Sequence, residues 1–288
     1  MVGGGAIVKG SPERSAGPGE AKRITSLANP LVKEIRGLAL AKNRKASGLF
    51  VAEGLKLVAD ALECDWTIRM LVHSDQVANE ALVRRLAART ETDGGQVLTV
   101  SEAVLGKITR RDNPQTVVGV FEQRLTPLES IRPAGDDLWV GLEAVRDPGN
   151  LGTILRTIDA VGAGGAILIG ETVDPFSLEA VRATMGSIFH VGLARASLSE
   201  FEALCGCWPG SVVGTHLAGT RDYRAAGYRP PVLLVMGREQ SGLSPALAAA
   251  CGMLVKIPMA GRADSLNLAV ATGIMLFEIA RDRLRLDG

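Results

Sequence analysis

Short apolar runs alternate along this chain with stretches of helical period, punctuated by glycine, proline and polar clusters. In the first half, residues 49–52, 68–72 and 116–121 read as strands. Residues 55–62 and 81–88 space their apolar positions as helices do. In the second half, residues 138–142, 166–169, 211–214, 232–236 and 254–257 are continuous apolar runs, the pattern of strands buried on both faces of a parallel sheet. Residues 150–161, 178–185 and 266–284 read as helices, and Ser244-Pro245 opens a short one with proline at its first position. Alternation of this kind predicts an α/β chain whose open parallel sheet is covered on both faces.

Proline, glycine and charge divide the chain further. Residues 1–21 lack periodicity and are rich in Gly, Ser and Pro, which predicts a disordered arm. Residues 22–122 form a small α/β domain, residues 123–137 (with Pro127, Pro133 and Gly135) a linker, and residues 138–288 a second α/β domain. Hydrophobic residues make up 47% of the chain but aromatics only 4%, so aliphatic side chains must fill the cores. The net charge of +1 means that any nucleic-acid surface has to be local. Residues 22–45 supply one candidate: Lys22, Arg23, Lys33, Arg36, Lys42, Arg44 and Lys45 stand against Glu34 alone. Arg84, Arg85 and Arg89 form a second basic group, and Arg110-Arg111 a third. Solvation accounts for single cations on helices; the bias in 22–45 fits phosphate contact as well as it fits solvation, and Arg110 and Arg111 join these residues as candidate RNA contacts.

Other classes find little support. Cys64, Cys205, Cys207 and Cys251 form no CxxC pair, and His73, His190 and His216 are scattered, so no metal site is expected. Reduced, buried thiols in a cytoplasmic protein are the expectation. No stretch has the length and apolarity of a membrane span, and the first residues lack the charged-then-apolar order of a secretory signal. Gly3-Gly4-Gly5 follows no strand and precedes no clear helix, so an NAD-binding fingerprint is absent.

Three segments combine a strand end, a turn and unusual polar residues. The first runs from Asp147 to Arg156, with Asn150 placed to cap the helix and Arg156 turned away from its apolar face. The second follows the apolar run ending at Met236, where Gly237 lets a ligand approach the backbone and Glu239 and Gly242 follow. The third is Ile257-Pro258-Met259-Ala260-Gly261, then Ser265-Leu266-Asn267 at the mouth of the last helix. Alone, each has an ordinary explanation: a solvated arginine, turn glycines, capping by Ser and Asn.

Together, in this order and spacing, the three resemble the SpoU (TrmH) family of S-adenosylmethionine-dependent RNA ribose 2′-O-methyltransferases, within the SPOUT superfamily. Asn150, Gly152 and Arg156 match its Asn-x-Gly-x-x-x-Arg pattern. Gly237, Glu239, Gly242 and Leu243 match Gly-x-Glu-x-x-Gly-Leu. Ile257, Pro258, Met259 and Gly261, with Ser265, Leu266 and Asn267, match the last motif. The first domain is similar to the family's substrate-binding domain, which itself resembles ribosomal protein L30e. It does so through Ile24-Thr25-Ser26, Asn29-Pro30 and the 50–54 segment.

The resemblance implies a parallel sheet closed by a deep trefoil knot, a homodimer whose active sites draw on both subunits, and S-adenosylmethionine as cofactor. It implies a cofactor pocket at Thr215, His216, Met236, Gly237, Glu239, Ile257, Met259, Ser265 and Leu266. The catalytic set it implies is Arg156, Asn150, Glu239, Ser265 and Asn267, with Arg156 on the phosphate beside the target ribose and the others orienting it. Large-subunit (23S) ribosomal RNA is the expected target, and protection against an antibiotic of the avilamycin type a further expectation. Transfer RNA as target, a base as methyl acceptor, and a non-catalytic ribosome-assembly factor are the alternatives. Arg238, where the family often has a small or polar residue, is a departure.

Overall fold

The computed structural model describes residues 22–285, and the expected disordered arm at 1–21 lies outside them. The first unit is built on five strands: β1 (Lys22–Ile24), β2 (Leu49–Glu53), β3 (Ile68–Ser74), β4 (Gln96–Val100) and β5 (Val117–Glu122). They lie in the order β1-β4-β3-β5-β2, with β5 antiparallel to both its neighbours. Helices α1 (Pro30–Gly37), α2 (Ala41–Ser47), α3 (Leu55–Glu63), α4 (Ala81–Thr92) and α5 (Glu102–Thr109) surround it. Asn29 caps α1 through the Leu31 N–H, and Pro30 fills the first turn, where a missing N–H costs nothing.

The second unit is a seven-stranded parallel sheet. Its strands are β6 (Leu138–Glu143), β7 (Gly165–Ile169), β8 (Gly192–Ala196), β9 (Ser211–Thr215), β10 (Arg221–Asp222), β11 (Val232–Met236) and β12 (Met253–Lys256). The order is β10-β12-β9-β11-β6-β7-β8. Its helices are α6 (Pro148–Ala160), α7 (Leu178–Thr184), α8 (Leu198–Cys207), α9 (Pro245–Ala250) and α10 (Leu268–Ile279). Every residue of β6, β7 and β11 is buried, as two-sided cover by helices requires. The chain order reverses between β6 and β11, so the carboxyl ends of the strands around that point are where a doubly wound sheet places a ligand. From β12 the chain runs through residues 257–267 to α10, which returns to pack on α6.

Two sequence expectations are corrected here. Asn150 does not begin α6: Asp147 is the cap, its Oδ1 accepting the Asn150 N–H at 2.6 Å, and Pro148 takes the first helical position. The last helix stops at Ile279 rather than near Leu284, because Arg283 turns back to donate to the Asp136 and Val161 carbonyls.

Aromatics, scarce in composition, are concentrated where the two units meet. Phe50, Trp66 and Phe121 of the first pack on Phe176 and Phe189 of the second, with Phe50 and Phe176 centroids 4.9 Å apart. The Trp66 indole donates to the Phe189 carbonyl at 3.0 Å. Two ion pairs flank this core, Arg44 with Asp174 at 2.7 Å and Arg182 with the buried Glu53 at 2.5 Å. The segment 123–137 is itself packed: Gln123 donates to the Arg44 and Leu49 carbonyls, and the Thr126 N–H to Leu193.

Candidate active site

Three loops leave the carboxyl ends of β9, β11 and β12 and enclose a cleft of about 320 Å³, within the range of small-molecule sites. The loop after β11 is fixed most firmly. Arg238 and Gly242 exchange backbone hydrogen bonds of 2.9 and 3.0 Å, making a tight stem. A Cβ on Gly237 would lie 2.1 Å from the backbone of Gly242 and Leu243, so only glycine fits there. Buried Glu143, at the end of β6, clamps the loop from outside by accepting the Ser244 N–H at 2.8 Å and pairing with Arg238 at 2.9 Å. Arg238, the departure from the family pattern, thus holds the loop in place.

The loop after β12 is different. No residue from Ile257 to Leu266 makes a hydrogen bond to another described residue, and most of the segment is exposed. Backbone donors and acceptors therefore stand free along one wall of the cleft, while Met236, Ile257, Met259 and Leu268 supply apolar surface. Opposite, His216 Nδ1 accepts the Ala218 N–H at 3.1 Å, which leaves Nε2 as the free ring nitrogen. An apolar slot edged by unpaired backbone groups fits a cofactor with a flat heterocycle and a charged amino-acid tail.

Across the mouth runs a directed line of amides. Asn267 caps α10, its Oδ1 accepting the Ala269 and Val270 N–H groups at 2.9 and 3.2 Å. That use of the oxygen turns its Nδ2 toward Asn150, whose Oδ1 accepts at 2.9 Å. Asn150 Nδ2 then donates to Glu239 Oε1 at 2.7 Å. One residue from each of the three sequence segments is thereby joined, and the Glu239 carboxylate is oriented from the positive end of a helix.

All nine expected cofactor residues, Thr215, His216, Met236, Gly237, Glu239, Ile257, Met259, Ser265 and Leu266, line this cleft. Lys256, Asp264 and Ala271 line it as well; they adjoin the motifs, and nothing in their own residue type singled them out. Of the expected catalytic set, Asn150, Glu239 and Asn267 are hydrogen-bonded together and Ser265 is at the wall. Arg156 is not brought to the cleft of its own chain: it is exposed on α6, six residues beyond Asn150, or about 9 Å along the axis. Gly152 serves packing: a Cβ there would lie 2.3 Å from that of Ala183 on α7.

The expected RNA contacts scatter more widely. Lys33, Arg36, Arg110 and Arg111 line one groove of the first unit. Lys42 and Lys45 are exposed on α2, Arg23 pairs with Asp75 at 3.0 Å, and the Lys22 side chain lies outside the described set. Arg44 is a correction. It is 3% exposed and spends its guanidinium on Asp174 and the Leu38 carbonyl, so it joins the two units and does not face solvent.

Known proteins match along this same arrangement. The SpoU rRNA Methylase family matches residues 137–277, and the MRM3-like substrate binding domain matches residues 29–119. A 23S rRNA (uridine(2479)-2′-O)-methyltransferase of Streptomyces viridochromogenes is 31% identical, over 92% of this chain and 93% of its own. The chain belongs to the SpoU rRNA methylase family. Within it, the 23S rRNA (guanosine(2553)-2′-O)-methyltransferase RlmP of Bacillus subtilis is 30% identical over 90% of this chain and 99% of its own. The crystal structure of an AdoMet-bound rRNA methyltransferase from Sinorhizobium meliloti is 55% identical with a TM-score of 0.88. It covers 92% of this chain and 99% of that one. Similarity therefore spans both units and the segment between them.

Proposed function

We propose that this SpoU family member is an S-adenosylmethionine-dependent RNA 2′-O-ribose methyltransferase acting on ribosomal RNA in the cytoplasm. The observation that carries the reading is the line Glu239–Asn150–Asn267, which ties the three motif segments into one rim beside the cleft. When bound, the cofactor supplies a methyl group already activated on a sulfonium, so the protein has mainly to position the acceptor and assist loss of its proton. Met236, Ile257 and Leu266 form the apolar side for the adenine, and Thr215 and His216 stand at the neighbouring wall. Asn150, Glu239, Ser265 and Asn267 hold the ribose at the rim.

Arg156 completes the site from a second subunit. It is exposed and has no ion-pair or hydrogen-bond partner among the described residues. The dimer implied by the resemblance has a surface to form on: α10 is apolar almost throughout and leaves Val270 and Phe277 each about half exposed, two turns apart on one face. A guanidinium does not give up its proton in proteins, so Arg156 anchors the phosphate beside the target and stabilises charge rather than acting as base. Arg156→Ala is expected to abolish transfer and leave cofactor binding intact. Mixing it with Asn150→Ala subunits should restore activity in the hybrid; failure to complement would assign Arg156 to its own chain or to no catalytic role.

The finer target is 23S ribosomal RNA. The two relatives at 30 and 31% identity are named for a guanosine and a uridine. A role in antibiotic protection of the avilamycin type is tested by expressing the chain in a sensitive host and measuring growth in the drug.

A further inference from the structure

A second recess adjoins the cofactor cleft. It opens at the carboxyl ends of β6 and β7 and holds about 650 Å³, room enough for a nucleoside. The loop after β11 is the partition between the two, since Arg238, Glu239, Gln240 and Ser241 line both. Glu239 therefore stands on the lip of the recess as well as in the amide line with Asn150.

Two charged side chains in the recess have no partner. Arg146 precedes α6 and Glu171 follows β7; both are exposed, and neither makes a side-chain hydrogen bond or ion pair with another described residue. Their loops are tied to each other. The Ala144 N–H donates to the Ile169 carbonyl at 3.1 Å, and the Val173 N–H to the Val145 carbonyl at 2.8 Å. Ala144 holds φ at 48°, the left-handed region that a residue other than glycine occupies at a conformational cost. A strained turn bonded to its neighbour keeps Arg146 and Glu171 in a set relation.

The balance of charge says what the recess takes. Glu143, Glu171 and Glu239 stand there with Arg146 and Arg238. Glu143 is spent on Arg238 and the Ser244 N–H, and Glu239 on the Asn150 amide. What remains is one guanidinium and one carboxylate, in a place too acidic to attract a phosphate. The pair suits an uncharged group that carries both acceptors and N–H donors. Leu198, 40% exposed at the start of α8, adds an apolar surface for a flat face.

We propose that the recess reads the base of the nucleotide being methylated, and that this base is guanine; the proposal rests on the RNA methyltransferase reading above. A ribose at the Asn150–Glu239 rim has its base on the recess side of the partition, because the cofactor fills the other. Among the four bases only guanine presents two adjacent N–H donors, at N1 and N2, to both oxygens of one carboxylate, which Glu171 supplies. Its O6 and N7 accept from a guanidinium, which Arg146 supplies. Uracil has a single ring N–H flanked by carbonyls, so the second carboxylate oxygen would face an acceptor. Arg146 and Glu171 are thus specificity-determining residues.

The test uses the full-length protein, its cleft filled by excess S-adenosylmethionine, and saturation-transfer NMR with guanosine, inosine or uridine as the probe. Guanosine is expected to bind most tightly, ahead of inosine, which lacks the N2 amine, and of uridine. Glu171→Gln and Arg146→Ala should each weaken guanosine binding about tenfold or more, with Tm unchanged because both side chains are exposed. Given protein-free 23S ribosomal RNA and labelled cofactor, the wild type should place its label on 2′-O-methylguanosine. Glu171→Gln should lower kcat/KM for the RNA by a similar factor and leave S-adenosylmethionine affinity unchanged. Inosine or uridine bound as well as guanosine, variants that bind guanosine as the wild type does, or label on another 2′-O-methylnucleoside overturns the assignment and leaves the methyltransferase reading intact. A fall in S-adenosylmethionine affinity in either variant would also overturn it, by giving the recess to the cofactor's amino-acid tail. Guanosine held through Glu171 and Arg146 by a protein that transfers no methyl would keep the recess and overturn the enzymatic reading instead.

Discussion

Replacing Gly237 by alanine puts a methyl group where the structure has peptide backbone. The new Cβ would stand 2.1 Å from both the Gly242 carbonyl carbon and the Leu243 nitrogen, and real Cβ atoms essentially never come nearer than 3.0 Å. The stem of the loop must therefore open by about 0.9 Å, a backbone overpacking of the kind that costs about 1–3 kcal/mol. An opening of that size stretches the two Arg238–Gly242 hydrogen bonds, now 2.9 and 3.0 Å, beyond bonding distance. Their loss adds about 1 kcal/mol each. Local rearrangement absorbs part of this, so a net destabilisation of about 2–3 kcal/mol is expected, or a fall in Tm of roughly 4–10 °C. Because the same loop walls the cleft, S-adenosylmethionine affinity should fall by more than about tenfold, or 1.4 kcal/mol. Scanning fluorimetry and isothermal titration calorimetry measure the two effects. Gly261→Ala is the control: a methyl group at that position would meet nothing within 4 Å, so Tm should hold. A Gly237→Ala protein with unchanged Tm and wild-type cofactor affinity would refute the claim that this glycine shapes the site.

Other consequences follow from particular contacts. Asn150→Asp replaces the donor to Glu239, now 2.7 Å away, with a like charge, and methyl transfer should fall at least about a hundredfold with cofactor binding within a few fold; activity near wild type would remove the amide line from the mechanism. Arg44→Ala should destabilise the fold by about 3 kcal/mol in denaturant titration, because it strands Asp174 and the Leu38 carbonyl, and should not change the salt dependence of RNA binding. Burial pushes the Cys205 thiol up to about 11 and Cys251 to about 12, so neither offers thiolate at pH 8. Mass spectrometry after brief iodoacetamide treatment should find exposed Cys207 alkylated and those two protected; early labelling of Cys251 would contradict its packing behind Gly214.

Strands buried on both faces were the most legible part of the chain, because a run such as 232–236 has no polar position to confuse its period. Elements with mixed faces were missed. β4 begins with exposed Gln96, β8 carries exposed Arg195, and α5 is short with Gly106 inside it, so none presents a clear period. That the three ordered motifs meet at one cleft was legible, yet their geometry was not: Asn150 is a bridge between Glu239 and Asn267, and the cap is Asp147. Charge misled where burial decides. Arg44 looked like its basic neighbours but faces inward, and only Asp174, distant in sequence by 130 residues, explains it. The thiols were expected to be buried, whereas Cys207 is exposed on the outer side of α8.

On the proposed reading, the cleft beside Glu239, Asn150 and Asn267 moves a methyl group from S-adenosylmethionine to a ribose hydroxyl of ribosomal RNA. To observe that transfer, the purified protein is supplied with S-adenosylmethionine carrying a labelled methyl group and with protein-free 23S ribosomal RNA, and the RNA is then digested to nucleosides for mass spectrometry. A single labelled 2′-O-methylnucleoside is expected, absent when Asn150→Ala replaces the wild type. Label on a base, or no label from a protein that demonstrably binds S-adenosylmethionine and the RNA, would show that the cleft does not perform this reaction.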